Sequence, residues 1–163
     1  MKKVLLFIIL FTIGKIAAAQ TDTSLLYLKF PTVVPFSIIK VPDSTKFTKA
    51  DLKKKRPVLI MAFSPDCDHC QHETKELLKH IDLFKKVQIV MISPISYNYI
   101  LEFYNKYELA KYPNITVGRD PVWLIGSFYN IRNYPGLFLY NKKGKFVKAF
   151  DGSVPVEKIA EAL

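Results

Sequence analysis

The sequence predicts an α/β domain with a central mixed sheet, helices on both faces, and an insert between the parallel half and a C-terminal hairpin. Three observations carry this. Val58-Leu59-Ile60-Met61-Ala62-Phe63 and Val87 to Ile92 are continuous apolar runs, as expected of strands covered on both faces. Between them lies an amphipathic stretch, Glu73 to Phe84, with Thr74, Leu77, Leu78, Ile81 and Phe84 on one face and Lys75, Glu76, Lys79 and Asp82 elsewhere. Strand, helix, strand in that order implies a parallel pair joined by a right-handed crossover. Third, Gly136 to Tyr140 and Lys145 to Phe150 flank the turn Asn141-Lys142-Lys143-Gly144 and read as an antiparallel hairpin.

The remaining elements follow in chain order. Met1 to Ala19 has the parts of a secretory signal peptide: Lys2 and Lys3, then the apolar run Val4 to Ile13, then Ala17-Ala18-Ala19 as a small-residue cleavage site before Gln20. An uncleaved membrane anchor is the alternative, but a span needs about 20 apolar residues and Lys15 interrupts this one. Residues 20–32 form a lead-in of weak pattern, and 33–163 the domain. Val33 to Val41 alternates loosely and is expected as a strand that Pro35 and Pro42 confine to an edge. Pro42-Asp43-Ser44-Thr45 is a turn. Phe47 to Lys55 suggests a helical turn with Thr48 as N-cap. Ser96 to Tyr107 is expected as a helix with Ile100, Leu101 and Tyr104 inward. Tyr112 to Gly118 suggests a loop with a short strand, and Pro121 to Tyr129 a short helix with Pro121 in its first turn. Val156 to Leu163 closes the chain as a helix.

The formal charge is +10; a leader carrying Lys2, Lys3 and Lys15 and no acid leaves about +7. Such an excess attracts acidic partners or membrane surfaces. Along the chain it is spread out: Lys53-Lys54-Lys55-Arg56 is the only real run, and it reads as a solvated loop. No nucleic-acid-binding motif accompanies it, so no nucleic acid is expected as a partner.

The chain has two cysteines, Cys67 and Cys70, in Ser64-Pro65-Asp66-Cys67-Asp68-His69-Cys70. In an exported protein the default reading is a structural disulfide. A Cys-x-x-Cys bridge closes a very small loop, however, and constrains the unfolded chain little; chemistry is the better reason for the pair. Cys67 falls where the helix should begin. There the unpaired amides and the helix dipole favour a thiolate. Cys67 is the expected nucleophile, and Cys70, one turn further in, the thiol that resolves the mixed disulfide. Asp66 and Asp68 oppose the thiolate, whereas His69, if protonated, favours it. A destabilised thiolate makes a better reductant, which tilts the expectation towards a reducing couple. His72 and His80 are expected on the exposed side.

These residues support a resemblance. A strand followed by Phe63-Ser64-Pro65-x-Cys-x-x-Cys, a helix, a strand, then Tyr134-Pro135 opening Gly136-Leu137-Phe138-Leu139-Tyr140 and Lys143-Gly144-Lys145 resembles the thioredoxin superfamily. More narrowly, it resembles the exported bacterial thiol-disulfide oxidoreductases of the TlpA/ResA type. The likeness covers residues 33–163. It implies a cis peptide bond before Pro135, which lies beside Cys67, and a substrate segment that pairs with the backbone of Tyr134. It makes Ser93 to Asn133 the family's insert. It further implies a redox-active Cys67–Cys70 disulfide with no dissociable cofactor, and partners that are proteins bearing disulfides or thiols. A membrane redox donor, a periplasmic location after signal cleavage, and a monomer complete the expectation.

Three departures stand out. Asp66 replaces the familiar Trp before the first cysteine, and Trp123 is expected to pack the insert. Asp68-His69 replaces Gly-Pro between the cysteines. No acid lies within Val58–Phe63, where thioredoxins place a buried carboxylate, which leaves proton transfer to water or Glu73. Other readings compete. A peroxiredoxin-like peroxidase fits Ser64, but Ile60 stands where that site has a proline. A copper or zinc carrier would draw on Cys67, Cys70, His69 and His72, with no distal histidine after His80 to complete the set. A non-catalytic module would use the disulfide only structurally.

Overall fold

In a computed structural model the structure describes residues 25–163. The expected signal peptide and the first part of the lead-in lie outside these residues. The elements are α1 (Leu26–Lys29), β1 (Ser37–Lys40), β2 (Lys46–Thr48), β3 (Val58–Ala62), α2 (Asp68–Lys79), β4 (Gln88–Ser93), α3 (Tyr97–Lys106), β5 (Ile115–Arg119), α4 (Leu124–Tyr129), β6 (Gly136–Tyr140), β7 (Phe146–Asp151) and α5 (Val156–Glu161). Seven strands form one sheet in the order β2-β1-β5-β4-β3-β6-β7. β3, β4 and β5 are parallel, and the other pairings are antiparallel. The predicted α/β class and mixed sheet are what the chain adopts.

The two apolar runs form the centre. Every residue of β3 and β4 is buried, because apolar cores cover both faces. Leu59, Met61, Ile89 and Met91 meet α2, α3 and α5 on one side. Ile60, Val90, Ile92 and Phe138 meet α4 and the N-terminal segment on the other. Truncating a fully buried Leu59 to Ala would cost about 2–5 kcal/mol. The insert contributes more than a short strand beside the sheet. β5 pairs with β4 along its whole length and separates β4 from β1. Gly118 permits the close approach of β1 to β5, since a Cβ there would stand 2.8 Å from the Ile39 carbonyl oxygen.

Several expectations need correction. β1 is not an edge strand: it lies between β5 and β2, and the edge is Lys46–Thr48, whose three residues carry no readable alternation. Pro35 and Pro42 flank β1 rather than lie in it. The helical turn after Thr48 is a single 3-10 turn, Lys49–Asp51, and both the backbone N–H and the hydroxyl of Thr48 donate to the Asp51 carboxylate at 2.8 Å. α2 begins at Asp68, not Glu73, and ends at Lys79; Ile81–Phe84 is a separate 3-10 turn. In α3 the buried residues are Ile100 and Phe103, while Leu101 and Tyr104 are half-buried. α4 starts at Leu124, past Pro121, because Asp120 accepts from the N–H groups of Val122 and Ile125 and holds the intervening loop.

Candidate active site at the carboxyl ends of the parallel strands

The register brings the site together. Ala62, the last residue of β3, pairs with Ile92 of β4 and with Gly136 of β6. The cysteine loop leaves β3 at this end, and Pro135 enters β6 at the same level. Cys67, in extended conformation, is the N-cap of α2. Backbone and side-chain bonds fix the loop. The Cys67 N–H donates to the Ser64 carbonyl at 3.2 Å, and the Ser64 hydroxyl donates to the Asp66 carboxylate. The Gln71 amide donates to the Pro65 carbonyl at 2.9 Å.

The two thiols are free and have unequal surroundings. Cys67 is half-buried, whereas Cys70 has no exposed surface. The Cys67 Sγ lies 3.7 Å from the Tyr134 carbonyl oxygen, to which it donates. Burial pushes the Cys70 thiol well up, opposed by the Ser64 backbone and reinforced by Cys67 and Asp66. The Tyr134–Pro135 bond is cis, as the resemblance implied, and Pro135 is buried with its carbonyl accepting from the Gly152 N–H at 2.9 Å. Tyr134 is half-buried. Its hydroxyl is pushed up by burial, with smaller contributions from the charges of Cys70 and Asp120.

Asp66, Asp68 and His69 are all exposed, so water and salt screen their charges. The His69 carbonyl accepts from the Ser153 hydroxyl at 3.0 Å, which ties the motif to the loop after β7. His69 and His72 point to water while Cys70 points inward. Among the described residues no group of three or more His, Cys, Asp or Glu is placed to hold a metal ion.

Two features exceed what the sequence indicated. Glu73 is fully buried on the same face of α2 as Cys70, one turn on. One carboxylate oxygen accepts from the Val154 N–H at 3.0 Å, and the other is buried without a hydrogen-bond partner. Burial raises this carboxyl above the ordinary range, against the pull of Val154 and Ser153. The i, i+3 spacing from Cys70 was visible in the sequence; the burial of an acid was not. The second feature is Trp123. It does not pack the insert: it is 57% exposed, beside Val122 at 73%. The Asp120-bound loop carries both to the cysteine end of the sheet, since Arg119 pairs with Ser93 there.

Comparison with known proteins agrees with this architecture. The family model of a thioredoxin-like domain matches residues 44–163. A secreted Mycobacterium tuberculosis disulfide oxidoreductase homologous to Escherichia coli DsbE is 21% identical with a TM-score of 0.65, covering 79% of this chain and 96% of that one. StoA from Bacillus subtilis is 18% identical with a TM-score of 0.57, covering 77% and 93%. An exposed lipoprotein thioredoxin of Streptococcus pneumoniae is 22% identical with a TM-score of 0.58, covering 79% and 99%. No curated protein sequence matches the chain. At these identities the structural likeness is one of fold.

Proposed function

The chain belongs to the thioredoxin-like family, and on that premise we propose that it is an exported thiol-disulfide oxidoreductase acting on protein disulfides and dithiols. The observation that carries the reading is the asymmetry of the pair: a half-exposed Cys67 at the head of α2 against the Tyr134 carbonyl, and a fully buried Cys70 behind it.

In the reducing direction the Cys67 thiolate attacks a substrate disulfide. One substrate sulfur leaves as a thiolate, and Cys67 Sγ forms a mixed disulfide with the other. Cys70 then loses its proton and attacks Cys67 Sγ, releasing the second substrate thiolate. The substrate gains two electrons and the enzyme becomes the Cys67–Cys70 disulfide. Attack by Cys70 requires removal of a proton that burial holds tightly. Glu73 is the acceptor: it is buried on the face of α2 that carries Cys70, and one of its oxygens has no hydrogen-bond partner. Tyr134 and Pro135 present the backbone edge on which a substrate segment lies, and Trp123 extends that surface with an apolar ring.

The lean towards reduction rests on Asp66 and Asp68 beside Cys67. Export is supported by the N-terminal pattern and by two structural relatives, one a secreted oxidoreductase and one an exposed lipoprotein. No helix among the described residues is long and apolar enough to cross a membrane. A membrane protein would then supply electrons, and the enzyme would act as a monomer.

The test is turnover with a disulfide substrate together with the reduction potential. Cys67→Ser should abolish reduction, and Cys70→Ser should accumulate the mixed disulfide. Unchanged turnover in Cys67→Ser would end the oxidoreductase reading. A potential near that of thioredoxin, about −270 mV, supports the reducing direction, and one near about −120 mV reverses it.

A further inference from the structure

The lysines that look scattered in the sequence are gathered by the sheet at one end. Val58 pairs with Gln88 in parallel and with Tyr140 in antiparallel register. The segments that precede β3, precede β4 and follow β6 therefore lie side by side, at the end opposite the cysteines. The first is Leu52 to Pro57 and contains Lys53-Lys54-Lys55-Arg56. The second contains Lys85 and Lys86. The third is the hairpin turn, with Lys142, Lys143 and Lys145. These three segments hold nine cationic side chains, and two acids, Asp51 and Asp82, border them. All nine residues are exposed. Among the described residues only Lys85 of the nine forms a salt bridge, at 2.8 Å to Asp82.

Two large apolar side chains flank this end, one from each face of the sheet. Leu83, 51% exposed, sits in the 3-10 turn just before Lys85. Phe30, 56% exposed, precedes the segment that bridges to the hairpin turn through Thr32 and Lys145. Exposed cations of which only Lys85 has a salt bridge among the described residues, spread across three adjacent strand ends and bordered by exposed apolar groups, suit a broad anionic surface with an apolar layer beneath it.

We propose that this basic end docks the protein on a bilayer of anionic phospholipids. The lysines meet headgroup phosphates, Leu83 and Phe30 enter the interfacial layer, and the cysteine end faces the aqueous phase. The exposed Leu83 and Phe30 beside the cations favour an anionic surface with an apolar layer over an extended acidic peptide, which offers no such layer. Only one of the nine cations is an arginine, the residue that stacks on bases, which argues against single-stranded nucleic acid. Each lysine near an anionic membrane contributes about five-fold in partition. The reading does not depend on the thiol chemistry.

Cosedimentation of the exported protein with vesicles tests it. Binding is expected to vesicles containing one third phosphatidylglycerol, not to phosphatidylcholine alone, and is expected to be lost in about 1 M salt, where the screening length falls to about 3 Å. Lys53→Gln/Lys54→Gln/Lys55→Gln should lower the partition coefficient roughly 100-fold. Lys142→Gln/Lys143→Gln/Lys145→Gln should do the same within a few-fold, and Leu83→Ser should lower it less. These are exposed positions, so a thermal melt should show each variant folded. Binding indifferent to lipid charge or salt overturns the proposal. So does loss in the first triple variant alone, which would mark a local site, or binding to a soluble acidic peptide without binding to the vesicles.

Discussion

The two ends of β3 are built in opposite ways. At the cysteine end, function is concentrated in burial and short-range geometry: one thiol half-exposed, one sealed, a carboxyl buried one turn away. At the other end none of the nine cations is buried, and what matters is the sum of charges that three separate segments bring to one surface. The first kind of site comes largely from neighbours in sequence. The second exists only once the strands are in register. A site of the first kind fails when a single atom is removed, whereas a site of the second kind fades charge by charge.

The largest expected effect separates the ends completely. Cys67→Ser removes the nucleophile and should lower disulfide reduction by more than about 10³-fold, with vesicle binding unchanged. The Lys53, Lys54 and Lys55 triple variant should do the reverse. Turnover of a soluble substrate by that variant below half the parent value would mean that the two ends are coupled.

Next in size is Glu73→Gln. If Glu73 takes the proton from Cys70, the variant should slow the resolving step by about 10²-fold. The initial attack by Cys67 should be spared, so mixed disulfide accumulates. The dependence of the resolving rate on pH should lose one ionisation. Stability gives an independent check with a definite sign. The folded Glu73 carboxyl is raised above its unfolded value of about 4.3. The folded state therefore binds more protons between the two values, and stability falls as pH rises from about 4.3 through the raised folded value, then levels. Melting temperatures across that window should slope downward in the parent and be flatter in Glu73→Gln. A parent curve that rises there would show that Glu73 is stabilised as the anion.

Trp123→Ala tests how far the docking surface extends. With a protein substrate kcat/KM should fall about ten-fold, by analogy with aromatic anchors at interfaces. A small disulfide, too short to reach beyond Tyr134, should be reduced at the parent rate. An equal fall for both substrates would mean that the loop held by Asp120 shapes the thiols themselves.

The same contrast explains what the sequence could reveal. β3, β4 and the hairpin are long apolar or alternating runs, and the Cys-x-x-Cys sits between them, so the frame and the thiols were legible. β2 is three residues without a pattern. The start of α2 was obscured because its first turn, Asp68-His69-Cys70-Gln71, is mostly polar; extended Cys67 is what begins the helix. Glu73 was a candidate for proton transfer from the sequence, but its burial, with the Val154 N–H donating to it, depends on a loop about eighty residues later. Trp123 reads as core by its chemistry, yet it sits at positive φ in a loop that turns it outward. A second cis bond, Val41–Pro42, left no trace in the chain beyond an ordinary turn signal. The basic end was hidden for a different reason. Its segments are separated by about thirty to fifty-five positions, and only strand pairing tells which of them are neighbours.

The smallest effect concerns the acids on either side of Cys67. Asp66→Asn with Asp68→Asn removes two negative charges next to the sulfur. The thiolate of the reduced enzyme gains from this and the uncharged disulfide does not, so the couple should become more oxidising. Both aspartates are exposed, and exposed charges act through water. The rise should be only about 10 mV, on a scale where a tenfold change in equilibrium is about 30 mV. Equilibration with glutathione buffers measures it. A rise above about 60 mV would mean that the loop is drier around Cys67 than its exposure implies. A fall would mean that the bond from the Ser64 hydroxyl to Asp66 matters more than the charge. That bond helps to hold the loop that carries Cys67, and loosening it would let the reduced form lose its placement at the head of α2. The sign of this small shift thus decides whether charge or loop geometry sets the couple at the cysteine end.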